Sequence, residues 1–101
     1  MSVSKQPNNN DFEVCILGLG YVGLTLAVAL SDIGYKVLGI EINKKIVNQL
    51  KDGKPHFSEK GLEDSLQRVI KDGFFTIKSD FDKKDTSNYF IITVGTPLDS
   101  K

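Results

Sequence analysis

Val14-Cys15-Ile16-Leu17-Gly18-Leu19-Gly20-Tyr21-Val22-Gly23 joins a continuous apolar run to three glycines at fixed spacing. Four apolar residues in a row suit a strand buried on both faces, as strands of parallel sheets are. Tyr21 to Ile33 is apolar and rich in Ala and Leu, long enough for a helix, and Gly34 stands where a left-handed residue ends one. A strand, a glycine turn and a helix make the first half of a βαβ unit.

The same alternation continues outward. Lys36 to Glu41 reads as a second buried strand, and Asn43 can cap a second helix with Ile46, Val47 and Leu50 on one face and Gly53 at its end. A Pro55-containing loop runs from Lys54 to Lys60. A third helix places Leu62, Leu66, Val69 and Ile70 on one stripe before Gly73. Phe74 to Ile77 is a third strand, and Phe74 and Phe75 both read as sheet core. Asp80 to Asn88 is polar, a short helix or loop, and the Lys/Asp mixture from Lys78 to Asp85 reads as a solvated face. Tyr89 to Val94 is a fourth strand, broken by Gly95-Thr96-Pro97. Strands alternating with helices imply right-handed crossovers and a parallel sheet. The expected fold is therefore α/β, a Rossmann-type parallel sheet in strand order 3-2-1-4, the N-terminal half of a doubly wound domain. Residues 1–12, polar and Asn-rich, are expected to be a disordered leader, with the domain occupying 13–101. The outer edge of the fourth strand would then be unpaired unless the C-terminal tail covers it, and an unpaired edge favours association.

Gly18-Leu19-Gly20-Tyr21-Val22-Gly23 matches G-x-G-x-x-G. Alone the pattern is weak. Here it follows a strand, opens a helix, and is answered by Glu41 ending the next strand 23 residues after Gly18, which is the context of a dinucleotide-binding turn. Gly18 permits the tight turn, Gly20 lets the backbone approach a pyrophosphate, and Gly23 lets the helix lie close to the sheet. The helix start at Tyr21 and Val22 offers free N–H groups and partial positive charge to phosphates. Glu41 can accept hydrogen bonds from the adenosine ribose and would repel a 2′-phosphate, so the expected cofactor is NAD rather than NADP, although Lys44 and Lys45 follow closely.

The bulk numbers narrow the function classes. A formal net charge of zero with 26% charged residues gives no electrostatic footprint for nucleic acid or an anionic membrane. No apolar run reaches the ~18 residues a membrane span needs. The single Cys15 fits a reducing, cytoplasmic setting. It lies in an apolar strand and reads as a small buried hydrophobe, not a nucleophile. His56 has no partner at metal-ligand spacing, and no metal site is expected.

Taken together these pieces resemble the UDP-glucose/GDP-mannose dehydrogenase family. Gly18-Leu19-Gly20-Tyr21-Val22-Gly23-Leu24 is similar to its opening fingerprint. Val37 to Asn43 is similar to its second strand, and Phe57-Ser58-Glu59-Lys60-Gly61-Leu62 to its E-P-G-L segment. Ser79-Asp80 resembles its T-D pair and Val94-Gly95-Thr96-Pro97 its V-G-T-P turn. Lys60, Glu41 and Ser79 depart from the family's usual proline, aspartate and threonine.

The resemblance covers Glu13 to Asp99. It implies a two-step, NAD-dependent oxidation of a nucleotide sugar's C6 alcohol to a carboxylate, with UDP-glucose, UDP-N-acetylglucosamine, UDP-N-acetylmannosamine and GDP-mannose all open as substrates. The family's catalytic cysteine, lysine, aspartate and asparagine map to later segments. This chain would therefore supply no catalytic residue, would be inactive alone, and would bind the nucleotide sugar only through parts it lacks. A homo-oligomeric parent protein is expected. The resemblance also implies that Val94, Gly95 and Thr96 approach the cofactor, Thr96 near its pyrophosphate or nicotinamide ribose. Two other readings share the glycine turn and acidic strand end: a 3-hydroxyacid-type dehydrogenase, and a regulatory nucleotide-sensing module of the potassium-transport type. The E-x-G-L segment argues against the first, and the V-G-T-P turn and the long Gly53–Gly61 loop argue against the second.

Overall fold

The computed structural model describes residues 1–5, 11–82 and 85–93. Its elements are β1 (Ser2–Lys5), β2 (Phe12–Leu17), α1 (Tyr21–Asp32), β3 (Val37–Ile40), α2 (Lys44–Lys51), α3 (Leu62–Lys71), β4 (Phe75–Lys78) and β5 (Ser87–Ile92). Parallel pairing joins β2 to β3, β3 to β4 and β2 to β5. The four parallel strands thus stand in the order expected from the sequence, and a fifth is added: the sheet reads β1-β5-β2-β3-β4.

Local chemistry accounts for the element ends. The Asn43 side chain accepts from the N–H groups of Lys45 and Ile46 at 3.0 and 3.2 Å, satisfying two orphan donors at the start of α2. Side chains alternate across the strands. Val14, Ile16, Val37, Phe75 and Ile77 join buried residues of all three helices in one core, while Cys15, Leu38 and Ile40 form a smaller one on the opposite face. Leu19, between the first two glycines, is completely buried in the larger core. Gly39 makes the room, since a Cβ there would lie 2.9 Å from a Leu19 methyl.

After β4, Phe81 and Asp85 make contacts near the second face. The Phe81 ring meets Phe90 edge-on at 5.8 Å, and Lys78 pairs with Asp85 at 2.7 Å, with the Asp85 side chain only 7% exposed. Phe81 and Asp85 therefore make contacts with the sheet, and Asp85 is nearly buried in its ion pair, so the Lys78–Asp85 mixture is not simply a solvated face. Burial pushes the Cys15 thiol up to about 12, with the charge of Asp85 adding to the effect. Phe74 also departs from expectation. Only Phe75 is core; Phe74, one residue before β4, is exposed, because neighbouring residues at a strand start face opposite ways.

The largest departure is at the N-terminus. Within the expected leader, Ser2–Lys5 is a strand, antiparallel to β5 with Val3 opposite Ile91 and Lys5 opposite Tyr89, and Phe12 already begins β2. Val3 is 59% exposed, so backbone hydrogen bonds rather than side-chain burial hold β1 in place. They satisfy the outer edge of β5, the edge expected to be open. Deleting residues 1–10 is accordingly expected to shift the chain toward dimers and larger species by size-exclusion chromatography with light scattering. An unchanged mass distribution would show that β1 does not guard that edge.

Candidate functional site

The carboxyl ends of β2, β3, β4 and β5 open onto one cleft of about 590 Å³, lined among others by Gly18, Gly20, Glu41, Ile42, Phe81 and Thr93. Open parallel sheets bind ligands at this end, where strand order reverses. The reversal here falls at β2, from which β3 and β5 lead away in opposite directions.

The three glycines of the turn answer to three different constraints. Gly18 has φ of 96°, a left-handed conformation that L side chains rarely adopt, and a Cβ there would stand 2.5 Å from the Thr93 carbonyl oxygen. Gly23 has no room, because its Cβ would fall 1.8 Å from the Gly18 carbonyl oxygen. Gly20 is the opposite case. Its φ of −74° and ψ of −159° suit any residue, and a Cβ would meet no atom of the chain within 4 Å. The fold itself does not require glycine at 20; the space above it lies open beside the start of α1. No side chain caps that helix start, and its first turn carries no acidic residue, so its N–H groups and positive end face outward. Tyr21 and Val22 are both exposed there.

Glu41 follows β3 and turns its carboxylate toward the glycine turn. Oε1 accepts from the Leu19 N–H and Oε2 from the Asn43 N–H, each at 2.9 Å. A carboxylate has about four acceptor positions, so each oxygen keeps capacity for a ligand hydroxyl. Beside it Ile42 is 85% exposed, a large apolar side chain presented to solvent at the cleft's rim. Phe81, also exposed, lines the same cleft.

Of the expected site residues, the structure brings Gly18, Gly20, Tyr21, Val22, Gly23 and Glu41 to this end of the sheet; Val94, Gly95 and Thr96 lie outside the described residues. Sequence reasoning missed Thr93, Ile42 and Phe81. Thr93 is 8% exposed; its N–H donates to the Leu17 carbonyl at 2.9 Å and its hydroxyl to the Gly18 carbonyl at 2.7 Å. A threonine ending an apolar strand was the available signal. Cys15 stays buried and high in pKa, away from the cleft lining.

The Gly53–Gly61 loop packs beside the start of α1. Gln49 donates to the Pro55 carbonyl at 2.9 Å and Gln67 to the Gly53 carbonyl at 3.2 Å. The Phe57 ring lies 5.1 Å from Tyr21, whose hydroxyl donates to Glu59 at 3.2 Å. His56 sits edge-on to Phe57. Burial lowers its pKa, opposed by the negative charge of Glu41. No helix among the described residues is long and apolar enough to cross a membrane.

Comparison with known proteins agrees with this geometry. Residues 12–101 match the UDP-glucose/GDP-mannose dehydrogenase family, NAD binding domain. A UDP-N-acetyl-D-mannosamine dehydrogenase of Methanococcus vannielii is 39% identical over 85 residues, 84% of this chain and 19% of the relative. A UDP-N-acetyl-D-glucosamine 6-dehydrogenase of Salmonella typhi is 33% identical over 91 residues, 90% of this chain and 20% of the relative. The GDP-mannose dehydrogenase of Pseudomonas aeruginosa, solved as a ternary complex, superposes with a TM-score of 0.75 at 34% identity, over 84% of this chain and 20% of that one. The chain thus spans about a fifth of the length of these relatives. Neither the 3-hydroxyacid nor the potassium-transport reading accounts for a match over this length. The chain belongs to the UDP-glucose/GDP-mannose dehydrogenase family, as its NAD-binding domain.

Proposed function

We propose that this chain is the cofactor-binding portion of a nucleotide-sugar 6-dehydrogenase that oxidises the C6 alcohol of a UDP-sugar to the uronic acid with two NAD. The observation that carries the reading is the open space over Gly20, a glycine the fold does not need, set between an uncapped helix start and the Glu41 carboxylate. A dinucleotide fits this arrangement. Its pyrophosphate would lie over Gly20 against the N–H groups of Tyr21 and Val22, its adenosine ribose hydroxyls would donate to Glu41, and its adenine would cover the exposed faces of Ile42 and Phe81. By family resemblance Val94, Gly95 and Thr96 would also approach the cofactor.

When bound, NAD supplies a hydride acceptor; two such removals and one water convert a primary alcohol to a carboxylate. This chain's own part is to bind and orient. The nucleophile and the sugar-nucleotide pocket belong to segments outside it, since Cys15, buried and raised to about 12, offers almost no thiolate near neutral pH. UDP-N-acetylhexosamines are the substrate class most in keeping with the names of the relatives.

Calorimetric titration of the chain with NAD and NADP tests the assignment. NAD is expected to bind, NADP more weakly. Glu41→Ala is expected to weaken NAD by about tenfold to a hundredfold, as loss of a charged hydrogen-bond acceptor does, and to narrow the gap to NADP. Equal or tighter NADP binding by the unaltered chain overturns the role of Glu41. With NAD and a panel of UDP- and GDP-sugars the chain is expected to give no NADH absorbance. Sustained NADH production that survives Cys15→Ser would overturn the placement of catalysis elsewhere.

A further inference from the structure

The peptide between Gly18 and Leu19 is held on both sides. Its carbonyl accepts the Thr93 hydroxyl at 2.7 Å, and its N–H donates to Glu41 Oε1 at 2.9 Å. A peptide unit is planar, so both bonds act on one rigid plate, and hydrogen bonds in series strengthen one another. The plate needs these restraints. On one side stands Gly18, with no Cβ to limit its rotation. On the other, the buried Leu19 side chain anchors its own Cα without setting the tilt of the peptide before it. Thr93 is itself well fixed, because its N–H is bound to the Leu17 carbonyl at 2.9 Å. Glu41 is fixed in turn by the Asn43 N–H at 2.9 Å.

We propose that Thr93 is a positioning residue of the cofactor site, acting on Glu41 through the Gly18–Leu19 peptide. The inference rests on the reading of Glu41 as the ribose acceptor. With the Thr93 hydroxyl in place, the plate is tilted so that the Leu19 N–H meets Oε1, which holds the carboxylate facing the cleft and the glycine turn in its binding shape. Without it, the Gly18 carbonyl loses its hydrogen-bond partner, the plate is held less firmly, and turn and carboxylate lose their common reference. Thr93 follows β5 and Glu41 follows β3, so the relay ties together the strand ends on either side of β2. Thr93 and Glu41, on separate strand ends, then behave as one unit in dinucleotide binding.

The test uses the whole chain and two readouts. Amide hydrogen exchange at Leu19, followed by NMR without cofactor, reads the plate directly; calorimetry with NAD reads its consequence. Thr93→Ala is expected to lower Leu19 protection and to weaken NAD by roughly threefold to tenfold, the net effect of one hydrogen bond, and Thr93→Ser is expected to restore both. Adding Thr93→Ala to Glu41→Ala is expected to weaken NAD by no more than about twofold beyond Glu41→Ala alone, because linked residues are not additive. Unchanged Leu19 protection in Thr93→Ala, or losses that multiply in the double variant, overturns the proposal. If Thr93→Ala does not fold, Thr93→Cys, which keeps the bulk but is a weak donor, takes its place. Glu41→Ala leaving NAD affinity intact would instead overturn the ribose assignment, and the Leu19 amide would still decide the relay.

Discussion

Replacing Gly23 with alanine is expected to unfold the chain or leave it barely stable. The added Cβ would fall 1.8 Å from the Gly18 carbonyl oxygen and 2.6 Å from the Thr93 hydroxyl. Neither neighbour is the loose end of a flexible side chain. Gly18 is backbone in a left-handed turn, and Thr93 is buried and hydrogen-bonded to it. Relief requires α1 to move off the sheet, and α1 supplies Leu24, Ala27 and Val28 to the main core. Overpacking a well-filled core costs typically 1–3 kcal/mol and occasionally more; with backbone as the obstacle, the loss here is expected to exceed about 3 kcal/mol. A chain of this size loses roughly 4–8 °C of melting temperature per kcal/mol, so the circular-dichroism transition is expected to fall by more than about 12 °C. Melting within a few degrees of the unaltered chain would show that the helix can shift cheaply.

Gly20→Ala is expected to do the reverse: the fold survives and cofactor binding is lost. Its backbone angles are ordinary and a Cβ would meet nothing of the chain within 4 Å. Alanine is a clearly poorer helix N-cap than glycine, but it restricts the unfolded chain, which favours folding by about 0.4–1 kcal/mol. The two nearly cancel, so thermal stability is expected to move by no more than a few degrees. The methyl instead enters the space proposed for the pyrophosphate and separates it from the N–H groups of α1. NAD affinity is expected to fall at least about tenfold, or roughly 1.4 kcal/mol, in a calorimetric titration of a chain that melts normally. Undiminished binding would place the pyrophosphate elsewhere. Two glycines three residues apart in one motif would thus fail in opposite assays, one through packing and one through the ligand.

Features that depend on neighbours along the chain are legible in the residues alone. The parallel strands show as short apolar runs, and α2 and α3 as stripes of Ile46, Val47, Leu50 and of Leu62, Leu66, Val69 that the structure packs into one core. Gly34, Gly53 and Gly73 mark helix ends, each with positive φ, because a left-handed residue there is a local requirement. Glycine spacing and an acidic strand end located the turn and Glu41 before any contact was known.

Features that depend on partners distant in sequence emerge only once the chain has folded. Ser2–Lys5 has too little apolar content to announce a strand; it becomes one because β5 offers an unpaired edge across some eighty intervening residues. Leu19 reads as a filler between glycines, yet Gly39 from another strand opens the space that makes it core. Asp85 looked solvated, yet folding pairs it with Lys78 and leaves its side chain only 7% exposed. Thr93, separated from Gly18 by 75 residues, gains its role only where two strand ends meet. A hydroxyl carries no sign of the carbonyl it will bind, and the closure of the chain supplies that partner.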